Sequence, residues 1–165
     1  MKSMTILKIC LVCSHGGHLM QMLSLKEAFR GHDFFLVTHK RRYSVPLDDI
    51  PKVYLIPYLF PDFQHKYISR IVLFVDMVME TLAEFIILLK ERPDIVISTG
   101  SEIAIPIFYM AKSLRKKVVF IESLHRVSDL SGSAKIVYPI VDLLLVQWES
   151  LLERYSKAIY VGRVI

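Results

Sequence analysis

Seven short apolar runs, bounded by charged or turn-forming residues, constrain the fold of this chain more than any other feature. They occupy residues 6–13, 33–38, 52–57, 93–98, 118–121, 142–146 and 158–161. Each is nearly continuous in Val, Ile, Leu and Phe, which suits strands buried on both faces better than strands with one wet face. Between them lie stretches with apolar residues at helical spacing: 20–29, about 65–91, 103–114, and one that opens at Ser131 and runs through Val141. A short helix is expected at Gln147-Trp148-Glu149. Strands that alternate with helices predict an α/β domain: a Rossmann-like, doubly wound, mainly parallel sheet with helices on both faces. The connections are short, so residues 1–165 are expected to form one domain with no second unit.

Composition sharpens this. Hydrophobic residues make up 53% and charged residues 22%, and the mean hydropathy is +0.43. That excess needs a destination: a sheet covered on both faces, a partner subunit or a membrane surface. The net charge of +5 suits phosphate ligands or anionic headgroups. No basic helix or recognised motif points to nucleic acid. Cys10 and Cys13 fall inside the first strand, where residues three apart face opposite sides, so they are expected to be buried, reduced and without metal. No secretory signal is expected, because the first strand starts close to Met1 and leads into Gly16-Gly17.

The longest helical pattern, 65–91, carries Asp76, Glu80 and Glu84 at i, i+4 and i+8, one polar stripe on an otherwise apolar cylinder. Lys66 and Arg70 lie near its start, the unfavourable end for positive charge. Its uncharged runs are far shorter than the roughly 20 residues that span a bilayer. A core or interface helix is expected, with membrane-surface contact as a second option. Residues 39–42 form a basic cluster after the second strand, and 58–63 an aromatic, proline-rich loop.

In a doubly wound sheet, ligands bind beyond the carboxyl ends of the strands. Three loops fall there: 14–18, with Ser14, Gly16, Gly17 and His18; 99–102, with Thr99, Gly100, Ser101 and Glu102; and 122–126, with Glu122, Ser123, His125 and Arg126. A strand, a glycine turn and a helix start offer close backbone approach and unpaired N–H groups to an anion. Each loop alone is also ordinary turn chemistry; three at one edge point to a ligand. The spacing at Gly16-Gly17 is not that of a dinucleotide fingerprint, and no Gly-Lys-Ser/Thr phosphate loop is present. His15, His18, His39 and His125 lack metal-ligand spacing. No metal and no cofactor are expected. Glu102 and Glu122 fit either acid–base work or helix capping.

Five motifs occur in order: Ser14-x-Gly16-Gly17-His18-Leu19-x-Gln21-Met22, Ser98-Thr99-Gly100, Glu122-Ser123-x-x-Arg126-Val127, Leu130-Ser131-x-Ser133-x-Lys135 and Gln147-Trp148-x-x-Leu151. Together they resemble the asparagine-linked glycosylation fourteen family and its capsule and exopolysaccharide counterparts in bacteria. The resemblance implies the N-terminal, acceptor-binding half of a GT-B glycosyltransferase on its own polypeptide. Its partners would be a donor-binding catalytic subunit that takes a UDP-sugar, a polyprenyl-diphosphate-linked saccharide acceptor, and the cytoplasmic face of the cell membrane, held peripherally. Ser14, Gly16, Gly17, Thr99, Gly100, Ser101, Glu122, Ser123 and Arg126 would bind the acceptor and its diphosphate. His18 resembles the histidine after paired glycines that is a proposed general base in a related single-chain cell-wall N-acetylglucosaminyltransferase; closing the turn or holding phosphate is its other open role. Eukaryotic members carry an N-terminal membrane anchor, which is not expected here, so the resemblance implies the bacterial type. The family's Ser-Gly-Lys stands here as Ser133-Ala134-Lys135, which bears on any role that needs glycine at that turn. The competing reading is a self-sufficient small nucleotide-sugar enzyme that uses His18 and Glu122.

Overall fold

The computed structural model describes residues 5–40, 46–57 and 70–164. Seven strands form one sheet in the order β3-β2-β1-β4-β5-β6-β7: β1 (Lys8–Val12), β2 (Asp33–Lys40), β3 (Val53–Pro57), β4 (Ile95–Ser98), β5 (Lys117–Ile121), β6 (Leu143–Val146) and β7 (Ala158–Tyr160). Every neighbouring pair is parallel. The order reverses between β1 and β4, so the crevice at this switch point opens beyond Val12 and Ser98, which are paired in register. All seven apolar runs are strands, and the expected doubly wound architecture is present.

Alternation along the strands builds two cores. Cys10, Val12, Phe35, Val37, Val96, Val118, Phe120 and Leu144 face helices α2 (Arg70–Glu91), α3 (Ala104–Ser113) and α4 (Gly132–Val137). Ile9, Leu11, Cys13, Leu36, Ile97, Val119 and Ile121 face the other way, where α1 (Gly17–Ser24) packs Leu19 and Met22 onto them. Cys10 and Cys13 are both free and buried, one in each core. Burial pushes the Cys13 thiol up to about 12, which makes it an unreactive core group.

Element ends differ from the periodicity where turns are tight. The first helix begins at Gly17, three residues earlier than its apolar pattern, because Gly16 alone makes the turn at φ 83°. It stops at Ser24, and a 3₁₀ turn, Lys26–Phe29, completes the stretch expected as one helix. Helix α4 has six residues and ends at Val137, short of Val141. The short helix after β6 is a 3₁₀ turn, Glu149–Leu151. The loop 58–63, residues Arg41 and Arg42 of the basic cluster, and Lys66 lie outside the described residues, as does the expected start of the long helix before Arg70.

Helix α2 turns its polar stripe toward the protein. Glu84 is fully buried, and its carboxyl oxygens meet no hydrogen-bond partner among the described residues. Glu80 bonds the buried His39 at the end of β2. Glu91, 6% exposed, accepts from Lys8 Nζ at 2.7 Å and Lys52 Nζ at 2.5 Å, and from the Tyr54 hydroxyl. These cations sit where β1 and β3 begin, so the C-terminal end of α2 is fixed to the amino edge of the sheet.

Candidate functional site

The first two loops are joined through one histidine. His18, in the first turn of α1, places Nδ1 2.8 Å from the carbonyl oxygen of Thr99, and the Thr99 hydroxyl donates back to the His18 carbonyl at 2.8 Å. A carbonyl only accepts, so Nδ1 carries the proton and the neutral ring keeps its lone pair on Nε2. The residues around Thr99 serve the same contact. The buried Ser98 hydroxyl accepts from the Gly100 N–H at 3.0 Å. Gly100 adopts φ 120°, and a Cβ there would lie 2.8 Å from Cε1 and 2.9 Å from Nδ1 of His18. Only glycine leaves room for the imidazole to lie against the chain. Ser101 follows at φ 84°, a backbone region costly for a residue with a side chain, and its hydroxyl bonds the Glu102 carboxylate.

The third loop is organised by Glu122 from the inside. This side chain is 1% exposed. One carboxylate oxygen accepts from the Ser123 N–H and the other from the Ser131 N–H, both at 2.8 Å, so it closes residues 122–131 into a loop. Its backbone carbonyl accepts from Gln147 Nε2 at 2.9 Å and from Gln21 Nε2 at 3.3 Å. The far side of the loop is pinned too. Trp148 Nε1 donates to the Leu124 carbonyl at 2.7 Å, and Arg154 Nη1 to the Ser128 carbonyl at 2.8 Å. Asp129 accepts from Lys135 and Tyr155, which hold its carboxyl down at about 2.

Two cavities flank His18. One, of about 580 Å³, is lined by Gly17, His18, Met20, Gln21, Ser24, Ser123, Leu124, His125 and Val164. The other, of about 500 Å³, is lined by His18, Ser101, Glu102, Ile105, Ser123, His125, Arg126 and the turn 131–133. His18, Ser123 and His125 form their common wall. The second is rich in hydroxyls and carries the Arg126 guanidinium, an exposed group suited to an anion. No side chain caps the N-terminus of α1, so its first N–H groups are available beside His18.

The structure thus divides the residues expected from sequence. Gly17, His18, Ser101, Ser123 and Arg126 line the cavities. Ser14, Gly16, Thr99, Gly100 and Glu122 line neither. Thr99 and Gly100 hold the imidazole, and Glu122 accepts from two backbone N–H groups, so these three shape the site from behind the cavity walls. Gln21, Ser24, Leu124 and His125 complete the cavity walls. Of these, Gln21 and His125 stood within or beside the motifs; Leu124 and Ser24 had no sequence signal. Ala134, where the family pattern has glycine, sits 1% exposed inside α4 with its N–H on the Ser131 hydroxyl, so the helix accommodates its Cβ.

Comparison with known proteins places the chain in a family and a fold. The model of the family described as "Oligosaccharide biosynthesis protein Alg14 like" matches residues 64–164, which takes in the second and third loops. The UDP-N-acetylglucosamine transferase subunit ALG14 of Homo sapiens is 39% identical over 82 residues, 46% of this chain and 38% of that protein. The subunit of the same name from Schizosaccharomyces pombe is 43% identical over 77 residues, 44% and 37% of the two chains. The matched stretches span well under half the length of these relatives. Both are eukaryotic, so the capsule and exopolysaccharide setting expected from the motifs finds no support in them. Among solved structures, MurG of Acinetobacter baumannii has a TM-score of 0.69 at 12% identity, covering 93% of this chain and 45% of that one. UDP-GlcNAc 2-epimerase of Methanocaldococcus jannaschii has 0.66 at 14%, covering 94% and 45%. At these identities the likeness speaks for a shared fold, a Rossmann-like unit of the GT-B kind. With the family model matched over most of its length, the chain belongs to the Alg14-like family of oligosaccharide biosynthesis proteins.

Proposed function

We propose that this chain is the acceptor-binding, partner-recruiting subunit of a heteromeric glycosyltransferase at a membrane surface. A separate subunit holds a UDP-sugar, and this one presents a polyprenyl-diphosphate-linked saccharide. The observation that carries the reading is His18: fixed through Nδ1 by Thr99, it stands between two cavities with Nε2 as its acceptor nitrogen. A base so held suits removal of a proton from an acceptor hydroxyl as the sugar is transferred. Arg126, Ser101 and Ser123 on one side, with the uncapped start of α1, suit the diphosphate. The names of the relatives point to UDP-N-acetylglucosamine as donor. Peripheral attachment to the cytoplasmic face, and a product destined for capsule or exopolysaccharide, belong to the same proposal and rest on the motif resemblance.

The test is reconstitution. The purified chain, a donor-binding subunit, UDP-N-acetylglucosamine and a polyprenyl-diphosphate saccharide should give product only when both chains are present. Turnover of a soluble nucleotide sugar by this chain alone would overturn the reading in favour of a self-sufficient enzyme. The same assay with His18→Ala separates a base from a residue that merely closes the turn.

A further inference from the structure

Helix α2 is built inside out. Three of its four acids point into the protein: Glu84 is fully buried, Glu80 meets His39, and Glu91 meets Lys8, Lys52 and Tyr54; the fourth, Asp76, is half-buried. Every exposed position among residues 74–89 is apolar, with Phe74, Met77, Met79, Leu82, Ile86 and Leu89 each about half exposed or more. Among residues 74–91, the one charged side chain that is exposed is Lys90, a cation. A helix that faces water carries the opposite pattern. The orientation is not a matter of loose packing, because ion pairs to two strands fix its rotation at the C-terminal end.

We propose that the outward face of α2 lies flat against an anionic lipid bilayer and is the element that brings the site to the membrane. Three observations choose lipid. First, no helix among the described residues is long and apolar enough to cross a membrane, so contact is in the plane of the interface, as for an amphipathic surface helix. Second, the exposed face carries no acid and the chain carries a net charge of +5, which complements anionic headgroups. Third, all strands are parallel, so α2, which follows β3 and precedes β4, runs from the carboxyl edge of the sheet to the amino edge. Its first turns, with Phe74, Met77 and Met79, therefore lie at the edge where the cavities around His18 open. A ligand whose tail stays in the bilayer would reach the cavities along that edge. The choice of lipid over a second copy of this chain rests in part on the proposed function.

Flotation of the full chain on phosphatidylcholine vesicles, with and without phosphatidylglycerol, tests this. The wild type should float, more strongly with phosphatidylglycerol and less at high salt. Leu82→Glu with Ile86→Glu should reduce partition about tenfold or more, whereas Ile159→Glu, on the exposed last strand, should not. As a second measurement, Ile86→Trp should show quenching by brominated lipid beyond that of the native chain, whose single tryptophan is Trp148. Flotation of the double variant at the wild-type level, a wild type that stays at the bottom, or loss of a dimer without change in flotation would each overturn the proposal. Activity of the reconstituted complex separates the two readings. The double variant should keep its rate on a short-chain, water-soluble acceptor and lose it on a long-chain acceptor in vesicles. If no transfer is found with any acceptor, the proposed function fails and flotation still decides the role of α2.

Discussion

His18 and Thr99, 81 residues apart in sequence, hold each other through two reciprocal hydrogen bonds of 2.8 Å, each joining the side chain of one to the backbone carbonyl of the other. One fixes which ring nitrogen carries the proton; the other ties α1 to the end of β4. If the imidazole is the base, His18→Ala should lower kcat of the reconstituted complex about 10²–10⁴-fold with little change in folding. Thr99→Val keeps the carbonyl and loses the return bond. It should cost about 0.5–1.5 kcal/mol of stability and a much smaller part of the rate. Steady-state kinetics beside urea unfolding checks both.

Gly100→Ala should be more damaging than its size suggests. The added carbon would meet the His18 ring at under 3 Å, and φ 120° is a conformation for glycine. The expected outcome is a lower Tm together with loss of most transferase activity, because the ring must leave its seat. Gly132→Ala is the control for Tm alone, since a Cβ there meets nothing within 4 Å but would enter the second cavity.

Glu122→Ala should loosen the third loop. It strands the N–H groups of Ser123 and Ser131, each worth about 1–3 kcal/mol if left buried and unpaired. Limited proteolysis within residues 124–129 should accelerate, and KM for the acceptor should rise more than kcat falls. Rescue by Glu122→Gln should be partial, because an amide offers one acceptor oxygen where the carboxylate offers two.

The two buried acids of α2 should pull the pH dependence of stability in opposite directions. Burial, and then the neighbouring Glu80, push the Glu84 carboxyl from 4.5 up to about 10. The folded chain therefore holds a proton that the unfolded chain releases, and stability falls as pH rises between these values. Glu84→Gln should flatten that slope and raise Tm at about pH 8–9, relative to the native chain. Glu91 is the reverse case. Lys52, Lys8 and Tyr54 hold its carboxyl down at about 2, so its contribution is present above 4.5 and is lost as pH falls toward 2. Thermal scans of Glu91→Gln should show the largest deficit near neutrality and a shrinking one in acid.

Local pattern was enough for the architecture. Runs such as 93–98 and 118–121 could be read as buried strands because burial on both faces leaves no polar position in them. The loops 14–18, 99–102 and 122–126 could be placed at one edge because parallel strands put all their carboxyl ends together. What could not be read was the division of labour within those loops. Thr99 and Gly100 resemble phosphate donors in sequence, and only their contact with a histidine from another element shows what they hold. Glu122 has the residue type of a catalyst, and sequence holds no sign of its two backbone partners, one of them nine residues on, through which it braces the loop. For α2 the periodicity revealed a polar stripe but not its direction, since a helical wheel does not say which side faces out. The answer lay in Lys8 and Lys52 from other strands.

Gln147 uses both ends of one amide: Nε2 donates to the Glu122 carbonyl, and Oε1 accepts from the Val164 N–H at 2.8 Å. Val164 lines the larger cavity, and Glu122 anchors the loop that forms its opposite wall. The stretch leaving β7 and the loop leaving β5 are therefore each one hydrogen bond from the same planar amide. A shift at Val164 is passed through one amide to the loop that carries Ser123, Leu124 and His125, three residues of the same cavity wall.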